Sequence, residues 1–159
     1  MLKDAILERG KALNQDVLLV DSFLNHQVDV ALMEKIGEEF AKYFADRGIT
    51  RVVTIESSGI APASFTALAL GLPLVIMKKQ TSRILKGDLL QTTVRSFTKG
   101  TQYELTVKRE FLPAGEKILL IDDIYTTGST LDGVTEALLA SGVRQVYCLT
   151  VCAGREKHV

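Results

Sequence analysis

Four short apolar runs are the feature that most constrains the fold of this chain. They are RVVTI (51–55), LVIM (74–77), ILLI (118–121) and VYCLTVC (146–152). Each has the length of a buried strand, and helical patterns separate the first two and the last two. Parallel strands require crossover connections of this kind. The pattern therefore predicts an α/β domain built on a parallel sheet with flanking helices.

Three helical segments and a hairpin accompany these strands. Residues 29–48 carry apolar positions at helical spacing between an aspartate start signal and a glycine stop signal. A second helix is expected over APASFTALALG (61–71), and a third from about Leu131 to Ser141. TTVRSF (92–97) and YELTV (103–107) are joined by a connector that contains glycine. This last pattern predicts a β-hairpin inserted into the domain.

Composition indicates one globular domain without a charge-driven partner. The chain has 159 residues, of which 47% are hydrophobic, and this suits one domain with one core. Basic and acidic residues balance at 19 each, so no global field favours nucleic acid or an anionic membrane. No apolar run approaches the roughly 20 residues of a membrane span, and no signal peptide is evident. We expect a cytoplasmic single domain over 1–159, with residues 1–28 as an accessory element.

The cysteines and histidines do not suggest a metal site. Cys148 and Cys152 lie four residues apart in an apolar stretch, and we expect both to be buried as small hydrophobic residues in a reducing cytosol. Two thiols without nearby histidines make a poor zinc site, and His26 and His158 have no partner at ligand spacing.

The run ILLIDDIYTTGST (118–130) has the most informative chemistry. Asp122 and Asp123 would lie at the carboxyl end of a central strand, where open parallel sheets bind ligands. The hydroxyl-rich loop around Gly128 then leads into a helix whose N–H groups and dipole suit a phosphate. The spacing matches neither a nucleotide P-loop nor a dinucleotide fingerprint. A sugar phosphate fits both halves, with its hydroxyls on the acids; the alternative is that the acids only cap the helix.

This run resembles the 13-residue signature of type I phosphoribosyltransferases, which bind phosphoribosyl pyrophosphate (PRPP) with Mg²⁺. The match covers four apolar positions, both acids and the small-residue loop. It implies that Asp122 and Asp123 hold the ribose hydroxyls and meet the metal indirectly, through those hydroxyls or water. The 5′-phosphate would be cradled by the loop residues Thr126, Thr127, Gly128, Ser129 and Thr130.

Other stretches resemble the xanthine phosphoribosyltransferase family in particular. They are VDSFLNHQVD (20–29), IESSGIAPA (55–63) and SFTKG (96–100), and the resemblance runs from about Leu18 to about Asp123. It implies a phosphoribosyltransferase-type sheet, a hairpin that acts as a lid and a small N-terminal hood over the purine.

The same resemblance implies a base site at the hood. Leu18 and Asn25 would contact the purine, although Asn25 could equally be a helix cap or turn residue. A lysine just after the last strand contacts the base in that family. An ungapped alignment puts Gly154 at that position, and a short gap brings Lys157 there instead.

Two further segments are implied to hold the pyrophosphate. One is the loop after RVVTI, with Glu56, Ser57, Ser58 and Gly59; the other is the basic pair Lys78 and Lys79 at the end of LVIM. Lysines at a strand end are otherwise simply solvated. Lys99, at the hairpin tip, would belong to a lid that closes over PRPP and excludes water.

These resemblances imply an enzyme of purine salvage that transfers phosphoribose from PRPP to a 6-oxopurine, with xanthine as the expected base and Mg²⁺ as the cofactor. A homodimer is implied as well, and no nucleic-acid partner is expected without an added basic module.

Residues 117–156, in KILLIDDIYTTGST and YCLTVCAGRE, resemble instead the competence-protein F branch. The alternative is therefore a PRPP-binding regulatory or competence-related protein without transferase activity. The hairpin with Lys99 favours the enzyme. The absence of a lysine at the aligned position that contacts the purine favours the alternative.

Overall fold

A four-stranded parallel sheet forms the centre of the molecule. The computed structural model describes residues 1–14, 17–79, 87–96, 100–125 and 127–153. Its strands are β3 (Arg51–Ile55), β4 (Leu74–Met77), β7 (Lys117–Tyr125) and β8 (Gln145–Ala153). The sheet has the order β4-β3-β7-β8, with every neighbouring pair parallel. All four apolar runs are thus confirmed as strands of one parallel sheet.

Helices cover both faces of this sheet, because successive side chains of a strand point to opposite sides. The helices are α2 (Val30–Phe44), α3 (Ile60–Leu70) and α4 (Ser129–Ala140). Leu119 and Ile121 pack on one face with Phe44 of α2 and residues of α3. Ile118 and Leu120 pack on the other face with residues of α4. The central strand β7 is consequently buried on both sides, as its continuous apolar run predicts.

Two helices on the same face approach each other closely at Gly37. A Cβ atom built on Gly37 would lie 2.6 Å from the carbonyl carbon of Phe65 on α3. Glycine therefore permits the backbones of α2 and α3 to touch at this point. Asp29 begins α2, since its side chain accepts a hydrogen bond from the Leu32 N–H.

The predicted hairpin is confirmed and is longer than the sequence pattern indicated. It consists of β5 (Leu89–Ser96) and β6 (Thr101–Lys108), which pair antiparallel as a separate two-stranded sheet. Its apolar side packs against α4. Lys78, just after β4, joins it to the central sheet: its N–H donates to the Thr106 carbonyl at 2.9 Å, and the Thr106 N–H donates back at 2.8 Å.

The N-terminal residues form a small layer of their own. It contains α1 (Leu2–Arg9), a short ladder of β1 (Lys11–Ala12) and β2 (Leu18–Leu19), and a π-helix over Asp21–Asn25. Its core residues Val20, Phe23 and Leu24 pack with α2 and with the carboxyl ends of β7 and β8. We call this layer, residues 1–28, the hood.

The expectation for the cysteines is half wrong. Cys152 is buried, and this burial, followed by the charge of Asp123, raises the pKa of its thiol to about 11. Cys148 is exposed, with its Sγ 3.4 Å from the Thr135 hydroxyl on α4. The reason is that β8 is an edge strand, and only its carboxyl end lies beneath the hood.

Among the described helices, none is long and apolar enough to cross a membrane.

Candidate functional site

The two adjacent carboxylates lie near the carboxyl end of the central strand. β7 continues through Asp122 and Asp123 to Tyr125, beyond the ILLI run, because Asp122, Ile124 and Tyr125 still pair with β8. The backbone N–H of Asp123 donates to Oδ1 of Asp122 at 2.9 Å. Both side chains are partly buried. The structure thus places the predicted diacid at the ligand-binding edge of the sheet.

Asp122 is electrostatically unusual. Burial first, and then the neighbouring charge of Asp123, together raise its pKa to about 7, whereas the Lys79 ammonium opposes the shift. Asp122 is therefore close to half-protonated near neutral pH. A ligand that brings hydrogen-bond donors or a cation to this edge would favour the ionised form.

An open hollow lies between Asp122 and the start of α4. Most of the predicted phosphate-loop residues border it, together with three apolar or aromatic side chains. Its lining residues are Asp122, Ile124, Tyr125, Thr127, Gly128, Ser129, Thr130 and Leu131. Asp122 and four of the predicted phosphate-loop residues therefore lie around one hollow.

The loop backbone is shaped to bind an anion. Gly128 has a φ of +78° and precedes the first residue of α4. A Cβ atom here would lie 2.8 Å from the Tyr125 hydroxyl, so both the backbone conformation and the close ring require glycine. The hydroxyls of Thr127 and Ser129 lie 3.0 Å apart. Helix α4 thus presents its first N–H groups beside two hydroxyls, an arrangement that suits a phosphate.

A second loop lies at the end of the neighbouring strand. Gly59 begins α3, and a Cβ atom there would overlap Oγ1 of Thr54 and lie 3.1 Å from the Ile121 carbonyl oxygen. Thr54 in turn donates a buried hydrogen bond of 2.7 Å to that carbonyl. The loop Glu56–Gly59 is therefore held directly against the strand residue that precedes Asp122.

The basic pair follows the adjacent strand and faces this loop. Nζ of Lys78 lies 3.6 Å from Oε1 of Glu56, and the backbone N–H of Lys79 donates to Oε2 of Glu56 at 3.2 Å. The Lys79 ammonium makes no salt bridge with any described residue, and it lies 5.4 Å from the ring centre of Tyr103. Lys79 is exposed, so its charge can meet an anionic ligand.

The hood adjoins the hollow through one residue. Ile124 lines the hollow and also packs against the hood core, in which Leu18 is partly buried. Asn25 is exposed at the end of the π-helix. Ile124 was not predicted as a site residue, although its position directly after the diacid could have indicated it.

Three predicted site residues lie outside the described residues, namely Lys99, Thr126 and Lys157. Tyr103 of β6 was not predicted, yet it reaches the site, where its phenol lies beside the Thr130 side chain. Its pKa is raised, first by burial and then by the charges of Asp122 and Asp123. The alternation of Tyr103 with Leu105 and Val107 indicates which face of the hairpin it occupies. That signal does not reveal its partner.

A parallel α/β sheet with a diacid, a glycine loop before a helix and a basic pair at its carboxyl edge is the arrangement expected of the sugar-phosphate-binding class of α/β proteins. Residues 20–159 match the phosphoribosyl transferase domain family. The chain belongs to this family.

Named relatives and solved structures agree with that assignment. The chain is 52% identical to a xanthine phosphoribosyltransferase of Clostridium botulinum over 90% of this chain and 75% of that protein. It is 53% identical to a xanthine phosphoribosyltransferase of Clostridium acetobutylicum, over 86% and 72% of the two chains. In fold it resembles the adenine phosphoribosyltransferase of Giardia lamblia, with a TM-score of 0.75 at 19% identity over 98% of each chain.

Proposed function

We propose that this chain transfers phosphoribose from PRPP to xanthine, giving XMP and pyrophosphate. The observation that carries the proposal is the convergence of the diacid, the phosphate loop and the basic pair on one edge of the sheet. The relatives named above, at about half identity over most of the chain, support xanthine as the base. A cytoplasmic role in purine salvage follows as a prediction.

Each group at the site has a role in this transfer. Thr127 to Thr130 bind the 5′-phosphate, and Asp122 and Asp123 accept hydrogen bonds from the two ribose hydroxyls. Lys78 and Lys79, with the N–H groups of the 56–59 loop, stabilise the pyrophosphate as it leaves. The C1′–oxygen bond breaks, a bond from C1′ to a purine nitrogen forms, and the purine loses its proton to water. Positioning and electrostatic stabilisation account for catalysis, without a nucleophilic side chain.

Mg²⁺ fits this site as an ion carried by the substrate. No cluster of three or more acidic, histidine or cysteine side chains able to hold a metal occurs among the described residues. Mg²⁺ commonly binds through one or two carboxylates, water and substrate phosphates, so the diacid and a pyrophosphate suffice. The ion would supply charge neutralisation for the leaving group.

The hood is proposed to bind the base. Ile124 connects the hood core to the hollow, so a purine attached to a ribose on the diacid would lie beside Leu18 and the hood. Asn25, at the hood's exposed end, and Lys157 are proposed as polar partners of the purine. Lys99 is proposed to act from the hairpin tip.

The test is a turnover assay with PRPP, Mg²⁺ and each of xanthine, guanine, hypoxanthine and adenine, following nucleotide and pyrophosphate. The proposal expects turnover that is strongest with xanthine. PRPP binding by calorimetry without turnover on any base would favour the alternative suggested by the competence-like segment, a regulatory PRPP-binding protein. The double change of Asp122→Asn and Asp123→Asn serves as the control, because it should abolish PRPP binding without unfolding the chain.

A further inference from the structure

Tyr103 is a side chain of the hairpin that lies at the proposed PRPP site. Its phenol lies beside the Thr130 side chain, at the start of α4. Its ring centre lies 5.4 Å from Nζ of Lys79. The charges of Asp122 and Asp123 also act on its hydroxyl. One residue of the hairpin is thus close to the phosphate loop, the basic pair and the diacid together.

The hairpin has few other links to that edge of the sheet. Among the described residues, β5 and β6 form a sheet of their own. The pair Lys78 and Thr106 bridges it to the central sheet, and Oγ of Ser129 donates to the Arg95 carbonyl at 3.4 Å. Tyr103 pairs with Val94 across the hairpin, and both belong to the core that α4 covers. The position of the hairpin relative to the site therefore depends on the packing of this face.

We propose that Tyr103 is a positioning residue for PRPP, whose ring orients the Lys79 ammonium towards the pyrophosphate and whose hydroxyl orients Thr130 towards the 5′-phosphate. This inference rests on the proposed function and adds a residue to it. The face of an aromatic ring carries partial negative charge and attracts an ammonium group. A lysine side chain has many rotamers, and holding it in place before the ligand arrives lowers the ordering cost of binding.

The two parts of the side chain can be separated by substitution. Tyr103→Phe keeps the ring beside Lys79 and removes the hydroxyl beside Thr130. Tyr103→Leu removes both but keeps an apolar group in the core. Tyr43 is a matched control, because its ring also lies near a cation, with Arg47 4.9 Å from its centre, yet it is exposed on α2.

The experiment measures the binding of ribose 5-phosphate and of Mg²⁺-pyrophosphate separately, by calorimetry. Tyr103→Phe should weaken the binding of ribose 5-phosphate about three- to tenfold, which is the effect of one net hydrogen bond. The same substitution should change the affinity for pyrophosphate less than about twofold. Tyr103→Leu should weaken the binding of both ligands, and the affinity for pyrophosphate should fall about threefold or more. Tyr43→Phe and Tyr43→Leu should bind both ligands as the unsubstituted chain does.

A purely structural role would give a different pattern. Both ligands would then weaken by the same factor in Tyr103→Phe, or neither would change, and either result would overturn the inference. Unchanged binding in Tyr103→Leu, while the unsubstituted chain binds both ligands, would overturn the role of Tyr103 alone. Failure of the unsubstituted chain to bind either ligand would overturn the proposed function and, with it, this role.

Discussion

At the scale of a single residue, Asp122 is proposed to bind the ribose as a carboxylate, yet burial of that carboxylate destabilises the fold. Its pKa of about 7 lies well above the ordinary value of 3.8, mainly because of burial and then because of Asp123. An acid whose pKa is raised by folding binds more protons in the folded state than in the unfolded state between these two values. Stability therefore falls as pH rises from about 4 to about 7. The site thus keeps a carboxylate where it destabilises the empty fold.

Replacing this acid with an amide should remove that cost. Asp122→Asn is expected to be more stable than the unsubstituted chain at pH 8, by about 4 kcal/mol, and to lose the decline between pH 4 and pH 7. PRPP binding should be lost at the same time. Urea denaturation at several pH values measures the effect, and a parallel pH profile in the two proteins would contradict it.

Two buried threonines offer a matched pair for hydrogen bonding. Oγ1 of Thr106 is buried and has no hydrogen-bond partner within the described part of the chain, whereas the hydroxyl of Thr54 donates to the Ile121 carbonyl. Thr106→Val should stabilise the fold by about 1 kcal/mol, because it removes an unsatisfied polar group. Thr54→Val should destabilise it by about 1–3 kcal/mol, because it leaves a buried acceptor unpaired. The free energies of unfolding in urea test both signs, and a destabilised Thr106→Val protein would refute the first.

Among the elements of the fold, the hood depends on one arginine. Arg9 of α1 forms an ion pair of 2.7 Å with Asp29, donates to the Ser22 carbonyl at 2.9 Å and lies 5.2 Å from the ring centre of Phe23. Asp29 also caps α2. The Arg9 side chain therefore joins α1, the π-helix and the start of α2. The hood should therefore loosen as a unit when Arg9 is changed.

Arg9→Met is expected to raise the KM for xanthine about fivefold or more while leaving the KM for PRPP nearly unchanged, since a charge-assisted hydrogen bond and an ion pair are lost. Steady-state kinetics with each substrate varied in turn provide the measurement. Arg47→Met is the control, because Arg47 also stacks on aromatic rings but lies outside the hood. Equal rises in both KM values for Arg9→Met would show that the hood does not act on the base alone.

The same elements show how far the sequence determines the fold. Buried parallel strands and their helices could be predicted because apolar runs and helical spacing are local patterns. The extension of β7 to Tyr125 could not, since two acids interrupt its apolar run and only pairing with β8 keeps it extended. The exposure of Cys148 follows from the position of β8 at the sheet edge, and this order is set by tertiary packing. The partners of Tyr103 depend on how the hairpin packs on α4, which no local pattern records.

At the scale of the whole molecule, α3 has the composition of a buried helix but is not fully covered. Residues Ile60–Leu70 include no charged side chain, and Leu68 is 75% exposed. An exposed leucine on an uncharged helix adds apolar surface that association of two copies would bury. We expect two copies of the chain to associate through α3, in agreement with the homodimer that the sequence resemblance implies.

Leu68→Glu should convert this dimer to a monomer at micromolar concentration, because two carboxylates would be buried without partners in a symmetric interface. Sedimentation equilibrium measures the change in mass. Leu139→Glu is the matched control: Leu139 is also an exposed leucine, 46% exposed, but it lies on α4, on the opposite face of the sheet. That variant should remain dimeric. A monomeric unsubstituted chain at the same concentration, or a dimer that survives Leu68→Glu but not Leu139→Glu, would show that α3 is not the interface.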